Sequence, residues 1–140
     1  MKHLTHSGVR NLVFAGHSGS GKTSIIENIL YKEGITTRVG RVDDNTSFCN
    51  YLDEERKRHT TLSSKIFSIT HQDRKIYIMD SPGYADFFGE TLSAIHVCDC
   101  VVNVVDAVSG IQVCNRMVFD AAIKIKKGLA FFINKVDKND

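Results

Sequence analysis

One run of the sequence has the residue types and spacing that bind phosphate groups. Residues 16–23 read Gly-His-Ser-Gly-Ser-Gly-Lys-Thr, which is the pattern of a P-loop. Glycines let backbone N–H groups converge on phosphate oxygens, and a helix that begins at such a loop directs its positive end toward them. The side chain of Lys22 reaches the β- and γ-phosphates, and the hydroxyl of Thr23 is a ligand for Mg²⁺. The expected phosphate contacts are His17, Ser18, Gly19, Ser20, Gly21, Lys22, Thr23 and Ser24.

A second candidate phosphate element follows the apolar stretch Lys75–Met79. The next residue, Asp80, is placed to hold Mg²⁺ directly or through water. Gly83 follows three residues later and lets a backbone N–H approach a γ-phosphate, so this loop can sense whether that phosphate is present. By itself, an Asp-x-x-Gly pattern is weak evidence for a phosphate-sensing loop. It gains weight here because a P-loop precedes it.

A third motif, Asn134-Lys135-Val136-Asp137, predicts which base is bound. The carboxylate of Asp137 can accept two hydrogen bonds from the guanine N1–H and exocyclic amine. Adenine lacks that pair of donors and would leave the carboxylate unpaired, which costs orders of magnitude in selectivity. The motif therefore predicts GTP and GDP as ligands. An unrelated P-loop ATPase or kinase remains an alternative that this motif disfavours. Tighter binding of ATP than of GTP would support that alternative.

The elements that must position these motifs alternate between apolar strands and amphipathic helices. Such alternation predicts an α/β fold with a doubly wound, mostly parallel sheet, whose ligands bind at the carboxyl ends of the strands. The whole chain, residues 1–140, is expected to be one domain. The predicted strands are Asn11–Ala15, Ile66–Thr70, Lys75–Met79, Val101–Val105 and Leu129–Ile133, and the predicted helices are Thr23–Lys32, Phe87–His96 and Val113–Lys126.

The stretch between Gly34 and Ser63 shows neither the helical nor the strand period. Loops of that length are usually functional or disordered. Because it follows the P-loop helix, it is expected to be a switch ordered by the γ-phosphate and Mg²⁺. Its charge run, residues 53–58, is interpreted as a solvated face. We call residues 34–63 the switch segment.

Composition narrows the remaining classes of function. The chain has 140 residues, 42% of them apolar, and a net charge of +2, which is too small to argue for direct nucleic-acid binding. Its four cysteines lack zinc or redox spacing and are interpreted as free thiols. No stretch resembles a signal peptide or a membrane span, so a cytoplasmic location is expected. His3 and His6 are interpreted as a polar terminus rather than a metal site.

Taken in order, the three motifs resemble those of translational GTPases. Further matches are residues 40–44 (Gly-Arg-Val-Asp-Asp), 84–87 (Tyr-Ala-Asp-Phe) and 105–110 (Val-Asp-Ala-Val-Ser-Gly). The chain is most similar to the amino-terminal part of elongation factor G, particularly its divergent elongation-factor-G-like subset. The resemblance implies a Ras-like P-loop GTPase domain that binds GTP with Mg²⁺. It also implies a parent protein that acts on the ribosome in translocation of tRNA and mRNA.

The resemblance also assigns roles residue by residue. Arg58-His59-Thr60-Thr61-Leu62 aligns with the family's Arg-Gly-Ile-Thr-Ile, so Thr61 is implied to bind Mg²⁺ together with Thr23 and Asp80. His59 and Thr60 depart from that pattern. The residues implied for hydrolysis are Lys22, Thr61, Gly83 and Tyr84.

Two departures from the family bear on hydrolysis. Tyr84 stands where most translational GTPases have a histidine that positions the attacking water, and a phenol cannot take over its acid–base role near neutral pH. Gly19 stands where many have an aspartate linked to a monovalent cation. These differences predict slow intrinsic hydrolysis. They leave open an alternative function, a regulatory or ribosome-protecting switch that binds GTP but barely hydrolyses it.

The family comparison carries one further expectation, that the domain is incomplete. The sequence ends at Asp140, before the family's final strand, helix and Ser-Ala-x loop. The predicted fifth strand would then form an exposed edge of the sheet. The chain is expected to be monomeric.

Overall fold

A five-stranded sheet with helices on both faces forms the framework. The computed structural model describes residues 8–138, so His3 and His6 lie outside the described residues. The sheet order is β2-β3-β1-β4-β5, in which β2 runs antiparallel to β3 and the other neighbours are parallel. The predicted α/β, mostly parallel arrangement is confirmed. The strands are β1 (Val9–Ala15), β2 (Lys65–His71), β3 (Arg74–Asp80), β4 (Cys100–Asp106) and β5 (Gly128–Asn134).

The helices differ from the sequence prediction at one place. All eight predicted elements form, with ends within two residues of those expected. The sequence pattern predicts no helix in the switch segment, but the structure has one of six residues there. The helices are α1 (Lys22–Lys32), α2 (Asp53–Arg58), α3 (Phe88–Val97), which follows a single 3₁₀ turn at Ala85–Phe87, and α4 (Val113–Lys124).

Two apolar cores hold the helices to the sheet because side chains along a strand alternate between its faces. On one face α1 buries Ile26 and Leu30 against Phe14 of β1. On the other, α3 and α4 pack against Val13 and its neighbours; the main helical contacts there are Ala94, Ile95, Val118 and Ala122. The P-loop thus joins a central strand to a helix that is fixed by its own core.

The register of the sheet brings the motifs to one edge. Asp80 at the end of β3 is the register partner of Phe14, one residue from the end of β1. Asn134 at the end of β5 is the partner of Asp106 at the end of β4. Because the carboxyl ends of parallel strands meet at the same edge, the P-loop, Asp80 and Asn134 converge there although they are far apart in sequence.

A polar pair inside the second core explains Asn103, which interrupts the apolar pattern of β4. Its amide nitrogen donates to the backbone oxygen of Asn115 over 2.9 Å, and the amide of Asn115 donates back to Asn103 Oδ1 over 2.8 Å and to the oxygen of Val104 over 2.8 Å. Both residues are buried. These bonds fix α4 against the strand that ends beside the P-loop.

Other expectations concern the surface and the thiols. The four cysteines are free, as predicted. Within the described sheet β5 pairs only with β4, so it forms an edge, and Phe131, Phe132 and Ile133 are exposed there. No helix within residues 8–138 has the length and apolar character needed to cross a membrane.

Candidate nucleotide-binding site

A cleft of about 840 Å³ opens at the carboxyl edge of the sheet. It lies between the P-loop, the switch segment, the loop after β3 and the loop after β5. Of the residues predicted from sequence, it is lined by Ser18, Gly19, Gly21, Lys22, Thr23, Ser24, Thr61, Gly83 and Lys135. It is also lined by Arg41, Lys138 and other residues that were not predicted as contacts. The basic side chains give the cleft a charge that suits phosphate groups.

Lys22 is held at the floor of this cleft by its own loop. Its ammonium group donates to the carbonyl oxygens of Gly16 over 3.1 Å and His17 over 2.7 Å. Burial lowers the pKa of Lys22 to about 8, against the opposing effect of the Asp80 carboxylate. A phosphate group would supply the negative charge that this buried ammonium group needs.

Gly83 lies in direct contact with the P-loop. Its carbonyl oxygen accepts a hydrogen bond from the backbone N–H of Ser18 over 2.9 Å. A Cβ atom at position 83 would lie 2.5 Å from the Ser18 nitrogen and 2.6 Å from Lys22 Nζ. Only glycine fits at this distance, because the nearest obstacle is backbone that cannot move without displacing the P-loop.

Three segments far apart in sequence meet in a cluster of oxygen atoms. Thr23 Oγ1 donates to Asp80 Oδ2 over 2.8 Å and lies 3.1 Å from Thr61 Oγ1. Thr61 Oγ1 also lies 3.3 Å from Asp80 Oδ2 and 3.2 Å from Asn50 Oδ1. The structure thus brings together Thr23, Thr61 and Asp80, the three residues expected to hold Mg²⁺.

The donor set of this cluster fits a hard divalent cation. Two hydroxyls and a carboxylate are the oxygen ligands that Mg²⁺ prefers. Asp80 is fully buried, and its Oδ1 atom has no hydrogen-bond partner among the described residues. Burial raises the pKa of Asp80, while nearby Lys22 and the hydroxyl of Thr23 oppose that rise. A cation bound nearby would compensate the buried charge that protein donors leave partly unsatisfied.

The base side of the cleft is fixed by two contacts. Asn134 donates from Nδ2 to the backbone oxygen of Ser20 over 2.9 Å, which joins the loop after β5 to the P-loop. Lys135 Nζ donates to Asp106 Oδ2 over 2.6 Å. This hydrogen bond is the main cause that lowers the pKa of Asp106, whose Oδ1 also accepts the N–H groups of Val108 and Ser109. Asp106 was not predicted as a site residue, although residues 105–110 were part of the family resemblance.

Apart from the buried carboxylate and the amide just described, four predicted site residues lie outside the lining of the main cleft. Tyr84 is 46% exposed, directly before the 3₁₀ turn, and Asp137 is exposed in the loop after β5. His17 and Ser20 line a smaller adjoining pocket of about 270 Å³. Their atoms His17 Nδ1 and Ser20 Oγ are buried without a hydrogen-bond partner in the described part of the chain.

The charge run of α2 contains a buried residue that sequence reasoning missed. The run was interpreted as a solvated face, and for Glu55 this is wrong, because its side chain is fully buried and paired with the ammonium group of Lys65. Its carboxylate also accepts the N–H of Leu62 over 2.9 Å, directly after Thr61. The other five residues of α2 are exposed. No sequence signal distinguished Glu55 from them, since the burial depends on β2.

Similarity to known proteins agrees with this geometry. Residues 7–140 match the family model described as the elongation factor Tu GTP binding domain. An elongation factor G-like protein of Thermotoga maritima is 32% identical over 93% of the chain. The mitochondrial ribosome-releasing factor 2 of Scheffersomyces stipitis is 35% identical over 92%, and the tetracycline resistance protein TetO of Campylobacter jejuni is 36% identical over 91%. The chain spans 18%, 15% and 20% of these three relatives, respectively.

Two solved structures share the fold of this chain. A crystal structure of a Thermus thermophilus protein superposes with a TM-score of 0.91 at 31% identity, covering 95% of this chain and 20% of that one. A bacterial selenocysteine-specific elongation factor shares the fold, with a TM-score of 0.74 at 23% identity over 94% of this chain and 20% of that one. The resemblance to translational GTPases inferred from the motifs is confirmed. The chain belongs to the family of elongation factor Tu GTP binding domains, among the translational GTPases.

Proposed function

We propose that this chain binds GTP and GDP with Mg²⁺ and hydrolyses GTP as the nucleotide-binding domain of an elongation-factor-G-like protein. In this proposal it is a single monomeric domain whose parent acts on the ribosome in translocation. The observation that carries the proposal is the meeting of Thr23, Thr61 and Asp80 beside the P-loop lysine. These residues come from three separate segments, the P-loop helix, the switch segment and the end of β3.

Phosphate binding is assigned to the P-loop, residues 17–24. Lys22 already points its donors toward the loop carbonyls, so it is pre-oriented for the β- and γ-phosphates at little cost in side-chain entropy. The N-terminus of α1 adds its positive dipole to the same phosphates. Gly83 lies against Ser18, where its backbone would detect a γ-phosphate.

Metal binding is assigned to Thr23 and Thr61 as direct ligands and to Asp80 as a direct or water-mediated ligand. When bound, Mg²⁺ neutralises charge that develops on the phosphate oxygens in the transition state. The protein's contribution is to hold the two hydroxyls 3.1 Å apart and to keep a buried carboxylate beneath them.

Base recognition is assigned to Asn134, Lys135 and Asp137. Asn134 ties its loop to the P-loop, and Asp106 holds the ammonium group of Lys135. The exposed carboxylate of Asp137 is free to meet the guanine N1–H and amine. Specificity for guanine then arises from the cost of leaving that carboxylate unpaired.

Hydrolysis is the step for which the chain has the fewest positioned groups. Lys22, Thr61 and Gly83 are assigned to the phosphate and metal, and Tyr84 to the position of the attacking water. A neutral phenol is a poor general base near neutral pH, and positioned general catalysis contributes about 10²–10⁴-fold. We therefore expect slow intrinsic turnover, which the ribosome would accelerate.

A second candidate function is a GTP-dependent switch that protects or regulates the ribosome with little hydrolysis. Tyr84 and Gly19 favour it on chemical grounds, and one relative is named a tetracycline resistance protein. Single-turnover hydrolysis by the full-length parent, with and without ribosomes, separates the two candidates. Stimulation by orders of magnitude would favour the enzyme, and absence of turnover at full nucleotide occupancy would favour the switch.

Replacement Asp137→Asn tests the proposed site directly. The amide donates where the carboxylate accepted, so preference should move from guanine toward xanthine nucleotides, with a loss of GDP affinity of about 100-fold or more. Affinities are measured by competition against a fluorescent GDP in the presence of Mg²⁺. The matched control is Asp120→Asn, an exposed position on α4, which should leave both affinities unchanged. Guanine selectivity that survives Asp137→Asn would exclude this assignment.

A further inference from the structure

Glu27 is a buried carboxylate on α1 that faces the switch segment. It is fully buried, and its two oxygens accept three hydrogen bonds from that segment. Oε1 accepts the Ser47 hydroxyl over 2.6 Å and the Cys49 N–H over 2.8 Å, and Oε2 accepts the Gly40 N–H over 3.2 Å. All three donors are neutral groups. These contacts therefore stabilise the carboxylate through converging N–H and O–H dipoles and not through a positive charge.

A relay of hydrogen bonds continues from Glu27 to Thr61. The hydroxyl of Ser47 donates to Glu27 and accepts the N–H of Asn50 over 3.0 Å. Asn50 in turn places its Oδ1 3.2 Å from the hydroxyl of Thr61. Ser47, Asn50 and Thr61 are each buried, so solvent has little access to these bonds. Displacement of Ser47 would therefore be transmitted to the oxygen cluster.

The position of Glu27 on α1 connects this relay to the P-loop. Glu27 follows Thr23 by four residues, so both side chains lie on the same face of the helix. Thr23 contacts Thr61 directly, while Glu27 holds the part of the switch segment that precedes Thr61. A single helix face thus contacts the switch segment at two points, one at the oxygen cluster and one at a buried carboxylate.

We infer that Glu27 is a positioning residue that presets Thr61 for the triphosphate state, and so determines how strongly the site prefers GTP over GDP. This inference rests on the proposed function. The predicted consequence follows from the roles of the groups: Thr61 is needed for the γ-phosphate and its metal, whereas GDP is held by the P-loop and the base loop. We call the three hydrogen bonds between Glu27 and the switch segment the anchor. Loss of the anchor should weaken triphosphate binding more than diphosphate binding.

Replacement Glu27→Gln perturbs the anchor with little change in volume. The amide keeps one acceptor oxygen, but its NH₂ group must face one of the donor groups, and a buried donor left without an acceptor is unfavourable. Two quantities are measured on the whole chain. The first is the ratio of the dissociation constants for GDP and for a non-hydrolysable GTP analogue with Mg²⁺. The second is amide hydrogen exchange at Gly40 and Cys49 without nucleotide.

The expected result is a fall of about tenfold in affinity for the analogue at unchanged GDP affinity, with faster exchange at both amides. Ser47→Ala, a milder change that removes the relay but leaves the carboxylate, should lower the same ratio by a smaller factor. The control Glu33→Gln lies at the end of α1, where the carboxylate accepts from exposed His71. It should change neither quantity.

Each outcome decides between the inference and its alternatives. An unchanged ratio in Glu27→Gln, or an equal loss for both nucleotides, would overturn the positioning role and leave Glu27 as a purely structural residue. Unchanged exchange at Gly40 and Cys49 would overturn the anchoring itself. A folded wild-type chain that binds neither nucleotide would overturn the proposed function, and the exchange measurement would still decide whether Glu27 anchors the segment.

Discussion

The P-loop and the switch segment meet at the same cleft but are held there in different ways. The P-loop is short, continuous with β1 and α1, and shaped by glycines and by the carbonyls that Lys22 contacts within the same loop. The switch segment spans thirty residues and contains one short helix. Its position depends on buried side chains that pair with other elements, Glu27 of α1 with the segment's donors and Glu55 of the segment with Lys65 of β2.

This difference separates a preformed element from one that can be released. Local backbone geometry persists whenever β1 and α1 are folded, so the P-loop keeps the shape that the proposed phosphate binding requires. A segment held by a few buried polar contacts can detach when those contacts break, which is the property that a nucleotide switch requires. The following changes test whether the two regions differ in this manner.

The largest effect is expected when the buried pair of the switch segment is broken. Lys65→Met leaves the carboxylate of Glu55 buried without its cation, which should cost about 3–5 kcal/mol of unfolding free energy. Chemical denaturation followed by circular dichroism measures the loss. Amide exchange should increase at Leu62, whose N–H donates to Glu55.

An exposed pair on the same helix is the matched control. Lys57 and Glu54 lie 3.3 Å apart, with side chains 70% and 60% exposed. Lys57→Met should change the unfolding free energy by less than about 1 kcal/mol, since exposed ion pairs contribute little. Equal losses in the two variants would show that the buried pair does not hold the segment.

A smaller effect is expected from a change within the P-loop. Gly16 has φ +138°, and a Cβ atom there would lie 2.4 Å from the backbone oxygen of Val104. Gly16→Ala should cost about 2–4 kcal/mol, because the backbone of both β4 and the loop must move. The same denaturation experiment measures this loss of unfolding free energy. Because the P-loop backbone must move, we expect the variant to lose phosphate binding as well as stability.

Gly89→Ala provides the control for this substitution. Gly89 is an exposed residue of α3 with no atom within 4 Å of the added Cβ. The change should stabilise the chain by about 0.5–1 kcal/mol, because alanine has the higher helix propensity. If Gly16→Ala is equally well tolerated, the P-loop is not shaped by the close approach of Val104.

The smallest effect is expected at the end of α2. His59 has φ +49°, a left-handed conformation that favours glycine, and it stands where the family pattern has glycine. His59→Gly should relieve about 1 kcal/mol of backbone strain. Part of this gain is offset by loss of the 3.1 Å contact between its ring nitrogen and the Val42 oxygen. Lys126→Gly, at φ +57° after α4, is the control for strain alone. Thermal unfolding measures both variants. A midpoint that falls in both would contradict the claim that the left-handed conformation is strained.

Motif spacing and hydrophobic period predicted the strands and the main helices. These predictions succeeded because a P-loop and an amphipathic helix are local features, each contained within about a dozen neighbouring residues. Helix α2 was missed because its six charged residues have no apolar stripe. Asn50 was missed as a contact of the site because nothing in its own neighbourhood marks it. Asp106 was missed although it lies in the family-like stretch 105–110, because its partner Lys135 comes from a distant loop.

The amino-acid sequence by itself determined the order of the elements and the family motifs, with the class of ligand that these motifs predict, because they depend on local geometry and side-chain chemistry. The tertiary structure decided which isolated residues act together. It brought Thr61 to Thr23 and Asp80, buried Glu55 against Lys65, and placed Lys135 on Asp106. The physical reason is that these buried charges and hydroxyls find their partners on distant segments, and sheet register determines which segments meet.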